Sequence, residues 1–238
     1  MILEKILSLI APRACAVCGC RLSSSENVIC GTCNLHLPRT NFEDNPYENE
    51  LAKEFFGRIP IEKATSLFFY HAGSEVANII YNLKYHNEPY IGVTMGEMLA
   101  NQCKGKDFFT DIDAIVPVPL AKKRYKQRGY NQSMEIAKGV SKATGIPILS
   151  DFICRSEFNK SQTHLNRWQR AENVENLFYL NPHAKLPRNF HFPSNKDERT
   201  HLLIIDDIIT TGATIVSCVH ALPANVKISV LSLGFTKN

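Results

Sequence analysis

The sequence predicts an α/β fold, a doubly wound and mostly parallel sheet with a small module at its N-terminus. Three stretches carry that prediction. Leu202, Leu203, Ile204 and Ile205 form an apolar run that ends in Asp206 and Asp207 and resumes with Ile208 and Ile209. An unbroken run of this kind reads as a strand buried on both faces of a parallel sheet. Residues 113–118 repeat the pattern and lead into a basic stretch and then a helical one. Near the start, Cys15-x2-Cys18 and Cys30-x2-Cys33 have the spacing of two metal-binding knuckles, which makes the N-terminal module a zinc ribbon.

Length and composition bound the answer. At 238 residues the chain has room for one large domain and a small one. The reading divides it into an N-terminal helix and ribbon (1–38), a linker (39–64) and the large domain (65–238). Apolar content of 44% and charged content of 21% suit a globular protein. A net charge of +4 permits a polyanionic partner without demanding one. No apolar run approaches the roughly 20 residues that span a bilayer. Residues 1–10 are interrupted by Glu4 and Lys5, so an amphipathic helix fits them better than a signal segment. Eight cysteines are too few and too uneven for a disulfide scaffold, and four have metal spacing. A reducing cytoplasm is therefore expected.

Taken in order, the four thiolates of Cys15, Cys18, Cys30 and Cys33 complete a tetrahedral, closed site, which makes the zinc a fold staple and not a catalyst. Cys20 reads as a spectator. Residues 40–60 are polar and read as a connection with one short helix near 50–56. Residues 65–70 have strand composition. Ser74 starts a helix with Val76, Ile79, Ile80 and Leu83 at helical spacing, ended by Lys84, Tyr85 and His86. Residues 91–103 form a second helix with Met95, Met98 and Leu99 inward. After strand 113–118 come Lys122, Lys123, Arg124, Lys126 and Arg128, interleaved with Tyr125 and Tyr130. They read as a basic loop at the ligand edge of the sheet, ahead of a helix over 133–144. A solvated surface loop is the plain alternative. Residues 152–155 and 174–180 have strand character. Between them Arg167 and Arg170 form, with Arg155, a candidate pyrophosphate flap, or else a solvated helix face. Residues 182–200 read as a surface loop, 214–222 as a helix and 227–233 as a final strand.

The chemistry is concentrated in residues 202–214. Adjacent carboxylates in a dry core would be costly, so Asp206 and Asp207 belong at the strand's carboxyl end, where open α/β sheets bind ligands. Thr210, Thr211, Gly212, Ala213 and Thr214 then form a small polar turn ahead of a helix. Gly212 lets the backbone approach a ligand, three hydroxyls can donate, and the helix amides point into the loop.

This stretch resembles the 5-phosphoribosyl-1-pyrophosphate (PRPP) motif of type I phosphoribosyltransferases. Together with the paired knuckles and the segment PVPL followed by KxRGYNQ (126–132), it makes the chain similar to the ComF family, competence-associated proteins with a zinc ribbon and a phosphoribosyltransferase domain. The resemblance implies a type I phosphoribosyltransferase-like fold. It implies that Asp206 and Asp207 hold the ribose hydroxyls and Mg²⁺, directly or through water, while residues 210–214 wrap the 5′-phosphate. It also implies a cytoplasmic protein acting in DNA uptake and natural transformation, or in a relative's housekeeping role. The leaving pyrophosphate needs cationic donors, for which Lys122, Lys123, Arg124, Lys126, Arg128 and Arg170 are candidates. No general base and no acceptor can be read from the chain. Three readings stay open: a phosphoribosyltransferase, a module for single-stranded DNA that uses Tyr125 and Tyr130 as stacking platforms, and a PRPP sensor acting on a partner.

Overall fold

The computed structural model describes residues 13–156, 177–187, 190 and 199–237. The expected helix at 1–10 and the flap residues Arg167 and Arg170 lie outside them. Four strands form one sheet in the order β1 (Lys63–Phe69), β6 (Lys227–Phe235), β5 (His201–Ile209) and β2 (Ala114–Pro117). Every pairing is parallel. β5 is central, and its side chains alternate between the two layers. Leu203 and Ile205 join Leu67, Leu231 and Leu233 on one face, while Leu202 and Ile204 join Val116 and Val230 on the other.

Helices cover both faces, as a doubly wound sheet requires. On the first lie α3 (Glu75–Tyr85), α4 (Pro89–Gln102) and α6 (Gln132–Thr144). Ser74 accepts the Ala77 amide at the start of α3, and Pro89 opens α4 where no intrahelical donor is lost. α4 and α6 touch backbone to backbone: a Cβ added at Gly139 would lie 2.0 Å from the Val93 carbonyl oxygen. The second face carries α7 (Ala213–His220) and residues of the 39–64 stretch. That stretch, expected as a linker, buries Phe42, Leu51, Ala52 and Phe55 against the sheet. Its short helix α2 (Glu50–Lys53) is capped by the Asn49 side chain. A separate antiparallel pair, β3 (Ile153–Arg155) and β4 (Phe178–Leu180), stands beside the sheet.

Residues 122–128 are not a loop but helix α5 (Lys122–Arg128). The run contains neither glycine nor proline and is rich in good helix formers. It stops at Gly129, whose φ of 79° makes a left-handed cap.

The N-terminal module is small: two knuckles and α1 (Gly31–His36), packed on the outer side of α3 and α4. Asn78 and Asn82 of α3 donate to the carbonyls of Val17 and Ala16, each at 3.2 Å. Among the described residues, no helix is long and apolar enough to cross a membrane.

Candidate functional site

β5 delivers Asp206 and Asp207 to the carboxyl edge of the sheet, where their side chains diverge. Asp207 forms an ion pair with Lys84 at the end of α3, at 2.9 Å. Asp206 accepts from the Ser133 hydroxyl at 3.0 Å and from the Asp207 amide at 2.9 Å. Burial, and then the neighbouring Asp207 carboxylate, push the Asp206 carboxyl up to about 7; the Asp207 amide, Ser133 and Lys84 pull the other way. Two adjacent carboxyls, one paired with a lysine and one raised by burial, offer oxygen atoms to a cation or to sugar hydroxyls. Their oxygen donors fit Mg²⁺.

A cavity of about 340 Å³ opens over the acids. Its wall includes Lys84, Arg124, Arg128 and Arg155, together with Thr210 and Thr214 from the turn. Burial, followed by the Arg124 guanidinium, draws the Arg155 pKa down, while Asp206 pulls the other way. Gln132 also lines it. That side chain is 1% exposed, accepts from Arg128 at 2.9 Å, and leaves its Nε2 with no partner among the described residues. A buried donor without a partner is costly unless a ligand satisfies it. A larger cavity of about 830 Å³ adjoins this one through Lys84, Arg124 and Arg128 and adds Tyr85, Asn87 and Lys126. Among the described residues, none that lines it is acidic.

The turn of residues 210–214 forms a cup of about 50 Å³ at the N-terminus of α7. Gly212 is required there on two counts. Its φ is +66°, and a Cβ would lie 2.6 Å from the Phe55 ring. Arg58 donates to the Thr211 carbonyl. The 39–64 stretch therefore braces the cup from outside.

Of the cations read from sequence, Arg124, Lys126 and Arg128 line the cavities. Lys122 and Lys123 are exposed on α5 and line neither, and Arg170 lies outside the described residues. Tyr130 is not a stacking platform. It is buried and donates to the Leu83 carbonyl at 2.6 Å. Among the described residues, Tyr125, Tyr81 and Tyr85 are exposed aromatics; the last two have ring centroids 4.9 Å apart, and Arg128 lies over Tyr85 at 5.4 Å. Sequence reasoning missed Lys84, Gln132 and Ser133. Lys84 has an ordinary explanation as a cation at a helix C-terminus. Asn87, φ +55°, carried the better signal: an asparagine just past a helix, suited to a left-handed turn.

In the N-terminal module, Cys15, Cys18, Cys20 and Cys30 hold their sulfurs within 4.8 Å of one another. The Cys18–Cys30 separation of 3.8 Å matches the edge of a four-sulfur tetrahedron with Zn–S bonds of about 2.3 Å. The donor set fits zinc. Cys20, read as a spectator, belongs to this set, and Cys33 stands outside it.

No protein-family model matches the chain. Curated relatives do. Competence protein F of Haemophilus influenzae is 29% identical over 58% of this chain and 57% of its own length. DNA utilization protein YhgH of Salmonella typhi is 27% identical over 62% and 60%, and that of Escherichia coli K12 is 24% identical over 89% and 84%. These are homologues of the chain. They bear out the resemblance to the ComF family. The match covers less than two thirds of the length of the first two relatives.

Proposed function

We propose that the chain binds PRPP with Mg²⁺ at the carboxyl edge of the sheet, as a phosphoribosyltransferase-type protein serving DNA uptake and natural transformation. The observation that carries this reading is the placement of Asp206 and Asp207 between a hydroxyl-rich cup and a wall of lysine and arginine. The cup of residues 210–214 takes the 5′-phosphate on helix amides and threonine hydroxyls. The two carboxylates hold the ribose hydroxyls. Lys84, Arg124, Arg128 and Arg155 face the pyrophosphate, whose negative charge grows as the anomeric bond breaks. Magnesium, when bound, would be held by Asp206 and Asp207 and would neutralise pyrophosphate charge. Lys84 stabilises Asp207 before ligand arrives and becomes available to the pyrophosphate once the acid is otherwise occupied. The names of the relatives, competence and DNA utilization, support the cellular role. A cytoplasmic location follows from that role and from the thiol-rich knuckles.

Calorimetry with PRPP and Mg²⁺ tests the site. Asp207→Asn is expected to weaken binding at least tenfold, about 1.4 kcal/mol; unchanged affinity would refute the placement. Pyrophosphate release across a panel of bases and amines then separates turnover from binding alone.

A second reading is favoured by one observation: the exposed Tyr81–Tyr85 pair beside Arg128 and Lys126. Cations that follow a phosphate backbone and aromatic faces that stack bases make a single-stranded DNA surface. Oligonucleotide affinity should fall steeply with salt and should drop in Tyr85→Ala. Equal affinity for wild type and that variant would remove this reading.

A further inference from the structure

Five thiols, not four, converge at the N-terminal knuckles. Cys15, Cys18 and Cys30 are common to every arrangement. Cys20 lies within 4.8 Å of all three. Cys33, outside that mutual set, neighbours Cys15, Cys18 and Cys30 as well, and its own amide donates to the Cys30 sulfur. Both therefore reach the same three sulfurs, and a tetrahedral zinc has one corner left for them.

The backbone distinguishes the three shared sulfurs from the two contenders. The Cys30 amide donates to Cys15 at 3.3 Å and the Cys33 amide to Cys30 at 3.5 Å. The Cys20 backbone donates to Cys18. Amide donors of this kind favour the thiolate form and fix a ligand's direction. The contenders differ in access. Cys20 is exposed, whereas Cys33 is buried in the first turn of α1.

We propose that Cys20 and Cys33 are alternative fourth ligands of one zinc ion, so that the loaded site always keeps one uncoordinated thiol beside the metal. When Cys33 fills the corner, the spare thiol is Cys20 and faces solvent. When Cys20 fills it, Cys33 is shielded by the module. The exchange makes Cys20 the point at which an electrophile reaches the site without stripping its metal, since Cys33 then closes the tetrahedron. This inference rests on the knuckles alone and is independent of what the sheet edge binds.

The test uses the full chain loaded with Co²⁺, whose visible absorption reports four-thiolate tetrahedral coordination. Cys20→Ser and Cys33→Ser are each expected to keep one equivalent of metal and the four-thiolate band. The double variant should lose the band, with affinity at least 100-fold lower. Loss of the band in Cys33→Ser but not in Cys20→Ser, or the reverse, would mean a fixed ligand and overturn the proposal. A measurement on the wild type avoids any variant that fails to fold: cadmium-113 correlated with cysteine β-protons should couple to five residues. Coupling to four, with either Cys20 or Cys33 missing, would contradict it.

Discussion

The cysteine knuckles and the carboxyl edge of the sheet are both clusters of ionisable groups, yet they are supported in different ways. In the knuckles, like groups face like, sulfur against sulfur, in a module with little core of its own. A zinc ion suits such a group of sulfurs. At the sheet edge, opposite charges already face each other across a cavity: Asp207 meets Lys84 while Arg124, Arg128 and Arg155 stand near. Beneath them lies a fully buried sheet, with Leu202 to Ile205 at 0% exposure. One region thus offers a cluster that a metal could hold together, whereas in the other the fold itself builds the cavity. The two regions share one element. α3 accepts the knuckle through Asn78 and Asn82 and ends in Lys84.

Removing zinc should separate the regions most sharply. Structural zinc sites contribute on the order of 10 kcal/mol to the folding of small modules. A chelator should therefore abolish the knuckles' amide protection in hydrogen exchange while β5 and β6 stay protected. Equal loss in both regions would show that the sheet depends on the metal.

Asp206→Asn should push binding and stability in opposite directions. The Asp206 carboxyl is raised, so its proton is held more tightly in the folded chain than in the unfolded one. Its stabilising contribution is present at low pH and fades as pH rises from about 4 through about 7. At pH 8 the ionised acid opposes folding, and an amide there should raise the melting temperature by about 2–4 °C. At pH 4 the gain should vanish. PRPP affinity should fall at least tenfold in the same variant, and a variant that lost stability at pH 8 would contradict the burial argument.

The wild type carries the same signature. A cation-borne ligand needs the ionised pair, so affinity should climb with pH through about 7 and level above it. A flat profile from pH 5.5 to 8.5 would mean that the proton on Asp206 is irrelevant to binding. The smallest effect is expected from the shared helix. Asn82→Ala removes one part-buried hydrogen bond to the knuckle, worth about 1 kcal/mol. It should lower PRPP affinity by about two- to fivefold through Lys84 and leave zinc content unchanged; if affinity is also unchanged, the two regions are independent.

Much of this arrangement was legible in the residues. The apolar run ending at Asp206 announces a central strand and its ligand edge, because a parallel strand covered on both faces reads as an unbroken apolar run. The knuckle spacing announces a metal. What stayed hidden depends on tertiary proximity. Lys84 lies far along the chain from Asp207, and nothing local marks it as that acid's partner. Phe42, Leu51 and Phe55 sit in a polar stretch whose composition reads as a connection, yet they fill the second layer. Gly139 and Gly96 matter only because two helices cross there at backbone distance. The basic segment 122–128 was misread because charge density suggested a loop while helix propensity, and the stop at Gly129, decided otherwise.

A crystal of the full chain soaked with PRPP and Mg²⁺ tests the central claim most directly. The 5′-phosphate should lie in the cup of residues 210–214, the ribose on Asp206 and Asp207, and the pyrophosphate against Lys84, Arg124, Arg128 and Arg155. Density for the ligand at any other place, or an empty sheet edge at saturating concentration, would contradict it.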